Sequence, residues 1–175
     1  QVRPAPLLQV DGLRMHFFTK AGVVKAVDDV SFTVGRGEIL GLVGESGSGK
    51  SMTGYAILGL IDPPGRIVEG RIVFDGTDLT RLDAAAWRHI RGNRIAMIFQ
   101  DPMMTLNPVL RIDTQIVEAV QAHADVSRES ALARARDALV RVGIASPDER
   151  LRAYPHQFSG GMRQRVMIAM GLLCQ

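Results

Sequence analysis

The chain has 175 residues, 46% of them hydrophobic and 22% charged, which suggests one ordinary globular domain and excludes a disordered or low-complexity protein. The net charge of +3 is carried by arginine, since only Lys20, Lys25 and Lys50 of the 21 basic residues are lysines; the arginines are scattered, so no nucleic-acid partner is expected. A lone Cys174 excludes an internal disulfide, fits a reducing compartment and reads as core packing, and no apolar run approaches the roughly 18 residues of a membrane span. The first residues, QVRPAPLL, lack the charged-then-apolar build of a signal peptide. Any membrane role is therefore expected to come through a partner.

In chain order, Leu7–Phe18 alternates loosely and reads as a strand, with a turn at Ala21-Gly22. Val23–Val34 reads as one or two more strands ending at Gly35-Arg36-Gly37. Glu38–Val43 (EILGLV) is a short apolar run of the kind found in buried parallel strands. It leads into GESGSGKS, Gly44–Ser51, which fits G-x-x-x-x-G-K-[ST] at every fixed position. Met52–Leu60 then reads as a mostly apolar helix. Strand, glycine loop and helix make a phosphate cradle. Gly44, Gly47 and Gly49 let the backbone approach anionic oxygens, with Glu45, Ser46 and Ser48 between them and Met52 just after. Loop amides and the helix dipole favour negative charge there. Lys50 supplies a point charge to the β- and γ-phosphates, and Ser51 Oγ is placed to ligate Mg²⁺.

Asp62-Pro63-Pro64-Gly65 is a break. Arg71–Phe74 reads as a strand closed by a hairpin turn at Asp75-Gly76, and Asp83 caps a short helix through Ile90. Arg94–Phe99 (RIAMIF) reads as another buried strand ending at Gln100. From Asn107-Pro108 the periodicity becomes helical: Ile112, Ile116, Val117 and Val120, then Leu132, Ala135, Leu139 and Val142. Ser127 is placed as an N-cap and Gly143 as a C-cap. Val109–Ala153 is thus expected to be an all-helical insert on an α/β core. Ser159-Gly160-Gly161 followed by Met162–Leu173 is a capped helix start with bare amides, and so a second potential phosphate site.

Taken together these motifs resemble the ATP-binding subunits of ABC transporters, over essentially the whole chain. GESGSGKS looks like their Walker A motif, Gln100 their Q-loop glutamine, and FSGGMRQR (Phe158–Arg165) their signature motif, with Met162 in place of the commoner glutamine. Phe17 matches the aromatic position that stacks on adenine; read from its residues alone, it is equally a strand side chain facing the core. Gln100 alone reads as a polar strand-end residue making a turn hydrogen bond. IFQDPMMTLNP, LGLIDPPGRIVEGRI and FSGGMRQR look most like the dipeptide/oligopeptide (and nickel) importer branch.

The resemblance implies an ABC-type P-loop NTPase core with an antiparallel β subdomain: residues 1–108 the nucleotide-binding core, 109–158 the helical subdomain, and 159–175 the signature motif and start of its helix. It implies a sandwich in which Mg-ATP on Gly44–Ser51 of one subunit is covered by Ser159, Gly160 and Gly161 of a second, identical or paralogous. Gln100 would contact Mg²⁺ or the attacking water. Asp101–Pro108 would meet one of two membrane permease subunits, which work with a separate substrate-binding protein, and the subunit would lie on the cytoplasmic face of the membrane. Met103 and Met104 read equally as plain packing or as part of that docking surface.

The family continues past the signature helix into a strand ending in Asp-Glu, whose glutamate polarises the attacking water, and then a switch histidine. The chain is expected to continue likewise beyond Gln175, because His16, His89, His123 and His156 lie upstream and match no such position. General-base help is worth about 10²–10⁴-fold, so negligible hydrolysis is expected of these residues alone. The absent strand would leave apolar surface at Ile39, Leu40 and Leu42 and an open sheet edge. Two other readings compete with an importer motor: an ABC-type clamp acting without transport, for instance in DNA repair, and an ordinary P-loop phosphotransferase, which would have no use for Ser159–Gly161.

Overall fold

A computed structural model describes residues 5–101 and 105–173. Cys174, expected to pack in the core, and Met103 and Met104, read equally as packing or as docking surface, lie outside the described residues, as does Pro102. The chain divides into two compact units, one running to Trp87 and the other beginning at Arg88.

The first unit is built on an antiparallel sheet of order β2-β1-β3-β4: β1 Leu8–Thr19, β2 Gly22–Val34, β3 Gly65–Phe74 and β4 Thr77–Asp78. Val10, Leu13 and Met15 on β1 and Ile72 on β3 are fully buried, so the central strand supplies the core. The register of β1 slips against both neighbours between residues 10 and 15. At that level Gly70 has φ +87°, and a Cβ there would stand 2.4 Å from the carbonyl oxygen of Gly12; the bulge lets β3 press its backbone onto β1 where only glycine fits. Beside it, Gln9 Nε2 donates to both Asp11 carboxylate oxygens at 3.0 and 2.9 Å, and Arg71 Nε adds a bond at 2.8 Å. These donors, Gln9 first and Arg71 second, hold the Asp11 carboxyl below its usual range. The Asp75-Gly76 turn has positive φ at both residues (47° and 79°), the geometry of a two-residue hairpin. The strand expected at Arg71–Phe74 starts earlier, at Gly65, and the helix expected over Met52–Leu60 is α1, Lys50–Ile57.

Two expected strands are not formed. Glu38–Val43 is in no sheet: Ile39 is 97% and Val43 90% exposed. Arg94–Phe99 makes only an isolated parallel bridge, Arg91 to Ile95. Both runs have the composition of buried parallel strands, but a parallel strand exists only through the ladders on its flanks. Among the described residues nothing ladders with either. The expected open surface at Ile39, Leu40 and Leu42 is present, all three being exposed.

The second unit is helical: α2 Ala84–Ile90 leads into it from the first, followed by α3 Ile112–Gln121, α4 Arg128–Arg141, α5 Pro147–Leu151 and α6 Gly160–Leu173. Asp83 Oδ1 accepts from Ala86 N at 2.8 Å and starts α2. Ser127 Oγ accepts from Ser130 N at 3.1 Å, so α4 begins as expected. It ends in a Schellman motif: Gly143 N donates to Val140 O and Ile144 N to Leu139 O, with Leu139 and Ile144 both buried. Ala131, Ala135 and Ala138 give α4 a small-residue face against Ile112, Ile116 and Val120 of α3 and Val166 and Ala169 of α6. Leu132 and Val142, expected on that face, are only half-buried.

Candidate nucleotide site

The loop Gly44–Ser51 is exposed up to Ser48 and held from behind by α1. Thr53 and Ala56 bury one side of that helix, and Gly49, its N-cap, lies against β2 so closely that a Cβ would stand 2.4 Å from Ala26 O and 3.6 Å from Val27 Cγ2. Gly47 and Gly49 both have positive φ, 81° and 89°. A turn bond from Ser48 N to Glu45 O (3.2 Å) folds the loop, and the first helical bond runs from Thr53 N to Gly49 O (2.8 Å). No side chain caps α1 and no acid sits in its first turn. The amides of Lys50, Ser51 and Met52 therefore have no intrahelical acceptor and form the positive end of the helix dipole.

Lys50 folds back over the loop: Nζ donates to Gly44 O at 2.8 Å, Glu45 O at 2.6 Å and Ser48 Oγ at 3.3 Å. The sequence did not reveal this posture. It places an ammonium over the glycine loop, beside a helix start with no side-chain cap, and Ser51 is exposed in the first turn of that helix. Amide donors, one cation and one hard oxygen suit a polyphosphate with Mg²⁺, which takes few protein ligands and keeps several waters. Among the described residues no cluster of His, Cys, Asp or Glu competes as a metal site.

Phe17 shares this unit. It is half-buried in β1, opposite Val24 and Gly65, and its ring occupies the space a Cβ on Gly65 would need, 2.6 Å from Cε1. Met15, two residues earlier, pairs with Val27, the residue behind Gly49. The next residue, Phe18, is exposed beneath the Arg66 guanidinium at 4.2 Å.

Gln100 and Ser159–Gly161 belong to the second unit. Gln100 is exposed in a bend. Ser159 caps α6 as expected, its Oγ accepting from Met162 N at 3.3 Å and its carbonyl from Arg163 N at 3.0 Å. Behind the cap Phe158 is buried under the Arg150 guanidinium, and Arg163 Nε holds Pro155 O at 2.8 Å. Gly160 and Gly161 face open space: a Cβ on either would meet nothing within 4 Å, and neither has a positive φ. Gln115, which the sequence reading passed over, is also in this unit and is nearly buried. Its signal was a polar residue on the apolar stripe between Ile112 and Ile116.

A family model described as ABC transporter matches residues 27–175, and the chain belongs to that family. Its sheet-plus-helix architecture is the P-loop fold of ABC ATPase cassettes. The dimeric post-hydrolysis structure of the cassette MJ0796, bound to ADP and phosphate, superposes with a TM-score of 0.82 at 25% identity, over 95% of this chain and 69% of that one. Among named relatives, the dipeptide transport ATP-binding protein DppD of Escherichia coli is 48% identical over 97% of this chain and 52% of its own length. The oligopeptide transport ATP-binding protein OppD of Bacillus subtilis is 48% identical over 98% and 48%. The chain thus spans about half the length of these relatives. Phe17 lies outside the residues the family model matches. Among the described residues no helix is long and apolar enough to cross a membrane.

Proposed function

We propose that this chain is the nucleotide-binding part of an importer's motor subunit, in which Mg-ATP binding and hydrolysis between two ATP-binding subunits drive uptake of di- or oligopeptides. The observation that carries the reading is the exposed loop Gly44–Ser51, with Lys50 folded over it and an uncapped helix start at which Ser51 is exposed. The names of the relatives favour peptides as cargo. Bound there, Mg²⁺ would neutralise phosphate charge, with Ser51 Oγ as its protein ligand and Gln100 near it or the attacking water. Phe17 would flank the adenine. Asp101–Pro108 would meet a membrane permease subunit, keeping the protein peripheral on the cytoplasmic face, and a separate binding protein would deliver the cargo. Residues 1–175 alone are expected to hydrolyse ATP negligibly, because the resemblance assigns none of their carboxylates as the general base.

Gly160 and Gly161 support the two-subunit arrangement. Glycine in a first helical turn costs up to about 1 kcal/mol against alanine, and nothing among the described residues requires it at either position. A phosphate arriving from a second subunit does require it, since a side chain would block contact with the helix amides. Aspartate at residue 160 would suit the helix dipole and has room, yet it would set a carboxylate against that phosphate. In the full-length protein with its partner subunit, Gly160→Asp is therefore expected to leave Mg-ATP affinity of the separate subunit within about twofold. It should lower steady-state ATPase by about 10²-fold or more, the scale of losing a transition-state donor. An unchanged ATPase rate would instead favour an ordinary P-loop phosphotransferase.

A further inference from the structure

Gly65 opens β3 directly opposite Phe17 of β1, and Val24 of β2 lies opposite Phe17 on the other side. Directly opposed residues share a face of the sheet. The Phe17 ring reaches across to β3: a Cβ on Gly65 would meet Cε1 at 2.6 Å and Cδ1 at 3.0 Å, and Ile61 Cγ2 bounds the same space at 2.9 Å. One edge of the ring thus fills the notch left by the missing side chain, as an aromatic covers a cross-strand glycine. The backbone does not require glycine here. Gly65 has no positive φ, its amide donates to Asp62 O at 2.9 Å as any residue's would, and glycine weakens a strand relative to alanine. What residue 65 must leave room for is the ring.

The notch lies on the face of the sheet that carries the phosphate loop. Met15, two residues before Phe17 and so about 7 Å along the same face of β1, pairs with Val27, whose Cγ2 is 3.6 Å from the place of a Cβ on Gly49. Phe18, the other aromatic here, lies beneath Arg66 and points to the opposite face. Phe17 is only half-buried and Val24 is 54% exposed, so ring and valine form an open apolar shelf on the loop's side. We infer that Gly65 is a positioning residue for the nucleobase: its empty notch seats the Phe17 ring edge-in at one tilt, which leaves the ring face and Val24 open to a flat heterocycle. The inference rests on the proposed place of Phe17 beside adenine and adds what sets the ring's angle. A methyl group at residue 65 would push the ring out of the notch toward Val24, into the space of the base, without touching the loop and Lys50 that hold the phosphates.

The test measures, in the full-length subunit, affinity for Mg-ATP and for Mg²⁺ with inorganic tripolyphosphate, which offers the loop three phosphates and the shelf no base. Phe17→Ala is expected to weaken Mg-ATP binding by about tenfold or more, the scale of losing one base–aromatic stack, and to leave tripolyphosphate within about twofold. Gly65→Ala should weaken Mg-ATP by about fivefold, part of the same stack, with tripolyphosphate unchanged and Tm not lowered. In a Phe17→Ala background it should have no further effect, since the ring it displaces is gone. Ile61→Ala widens the notch and carries the test should Gly65→Ala not fold; a ring no longer held should weaken Mg-ATP by about threefold, again only while Phe17 is present. Unchanged ATP affinity in Gly65→Ala, an equal loss for ATP and tripolyphosphate, or the same loss with and without Phe17 would overturn the inference. If Phe17→Ala leaves the ratio of the two affinities unchanged, the adenine reading of Phe17 fails and the inference with it. If it lowers that ratio and Gly65→Ala does not, the inference alone fails.

Discussion

Gly49→Ala is expected to destabilise the first unit by about 3 kcal/mol, whereas Gly47→Ala, three residues into the same loop, should cost only about 1 kcal/mol. Both glycines have a left-handed φ, 81° at Gly47 and 89° at Gly49, so both substitutions carry a similar backbone penalty. They differ in what a methyl group would touch. At Gly47 there is nothing within 4 Å, but at Gly49 the new carbon would stand 2.4 Å from the carbonyl oxygen of Ala26. That oxygen belongs to β2 and cannot swing aside like the end of a flexible side chain, so α1 must lift off the sheet. Since α1 aims the loop amides, Gly49→Ala should also abolish nucleotide binding at temperatures where the protein remains folded. Chemical denaturation of the two full-length variants side by side checks the difference. Equal costs would show that backbone strain, and not the approach to β2, governs this glycine.

Lys50→Ala should lower Mg-ATP affinity by about 100-fold or more while leaving the fold intact. Among the described residues Lys50 bonds to loop carbonyls and to Ser48 Oγ, all of them exposed, and water can replace it there. Against a triphosphate its charge is hard to replace. One charge pair at about 4 Å is worth about 4 kcal/mol at an effective dielectric of about 20, and releasing the loop carbonyls gives part of that back. A net of about 3 kcal/mol corresponds to the 100-fold expected. Lys50→Arg should not restore it, because a planar guanidinium cannot occupy a notch shaped for a compact ammonium. Calorimetric titration of the full-length variants, with circular dichroism as the folding control, measures this. Unchanged affinity in Lys50→Ala would place the nucleotide elsewhere.

What the sequence disclosed and what it concealed divide along one physical line. The glycine turn at Gly47 and Gly49, the caps at Ser127, Asp83 and Ser159, the Gly143 stop and the Asp75-Gly76 turn are decided within four or five residues, and each stands where the residues placed it. Glu38–Val43 and Arg94–Phe99 carry strand composition, but ladders depend on distant chain, and the residues described supply none. Gly70 reads locally as a loop glycine in a strand; its cause, the carbonyl of Gly12, lies nearly sixty positions away. Gln115 was visible as a polar interruption of an apolar stripe. The three backbone groups that explain it, Asn107 N, Asn107 O and Leu110 O, could be found only once Asn107–Leu110 was folded over it.

The most direct test of the nucleotide site is amide spectroscopy of the full-length protein labelled with ¹⁵N-glycine, titrated with Mg-ATP. If the triphosphate lies in the cradle, the Gly47 and Gly49 resonances shift in step with saturation, since their amides lie in the loop that receives the phosphates. Saturable Mg-ATP binding that leaves both resonances unmoved would contradict the assignment of Gly44–Ser51 as the nucleotide site.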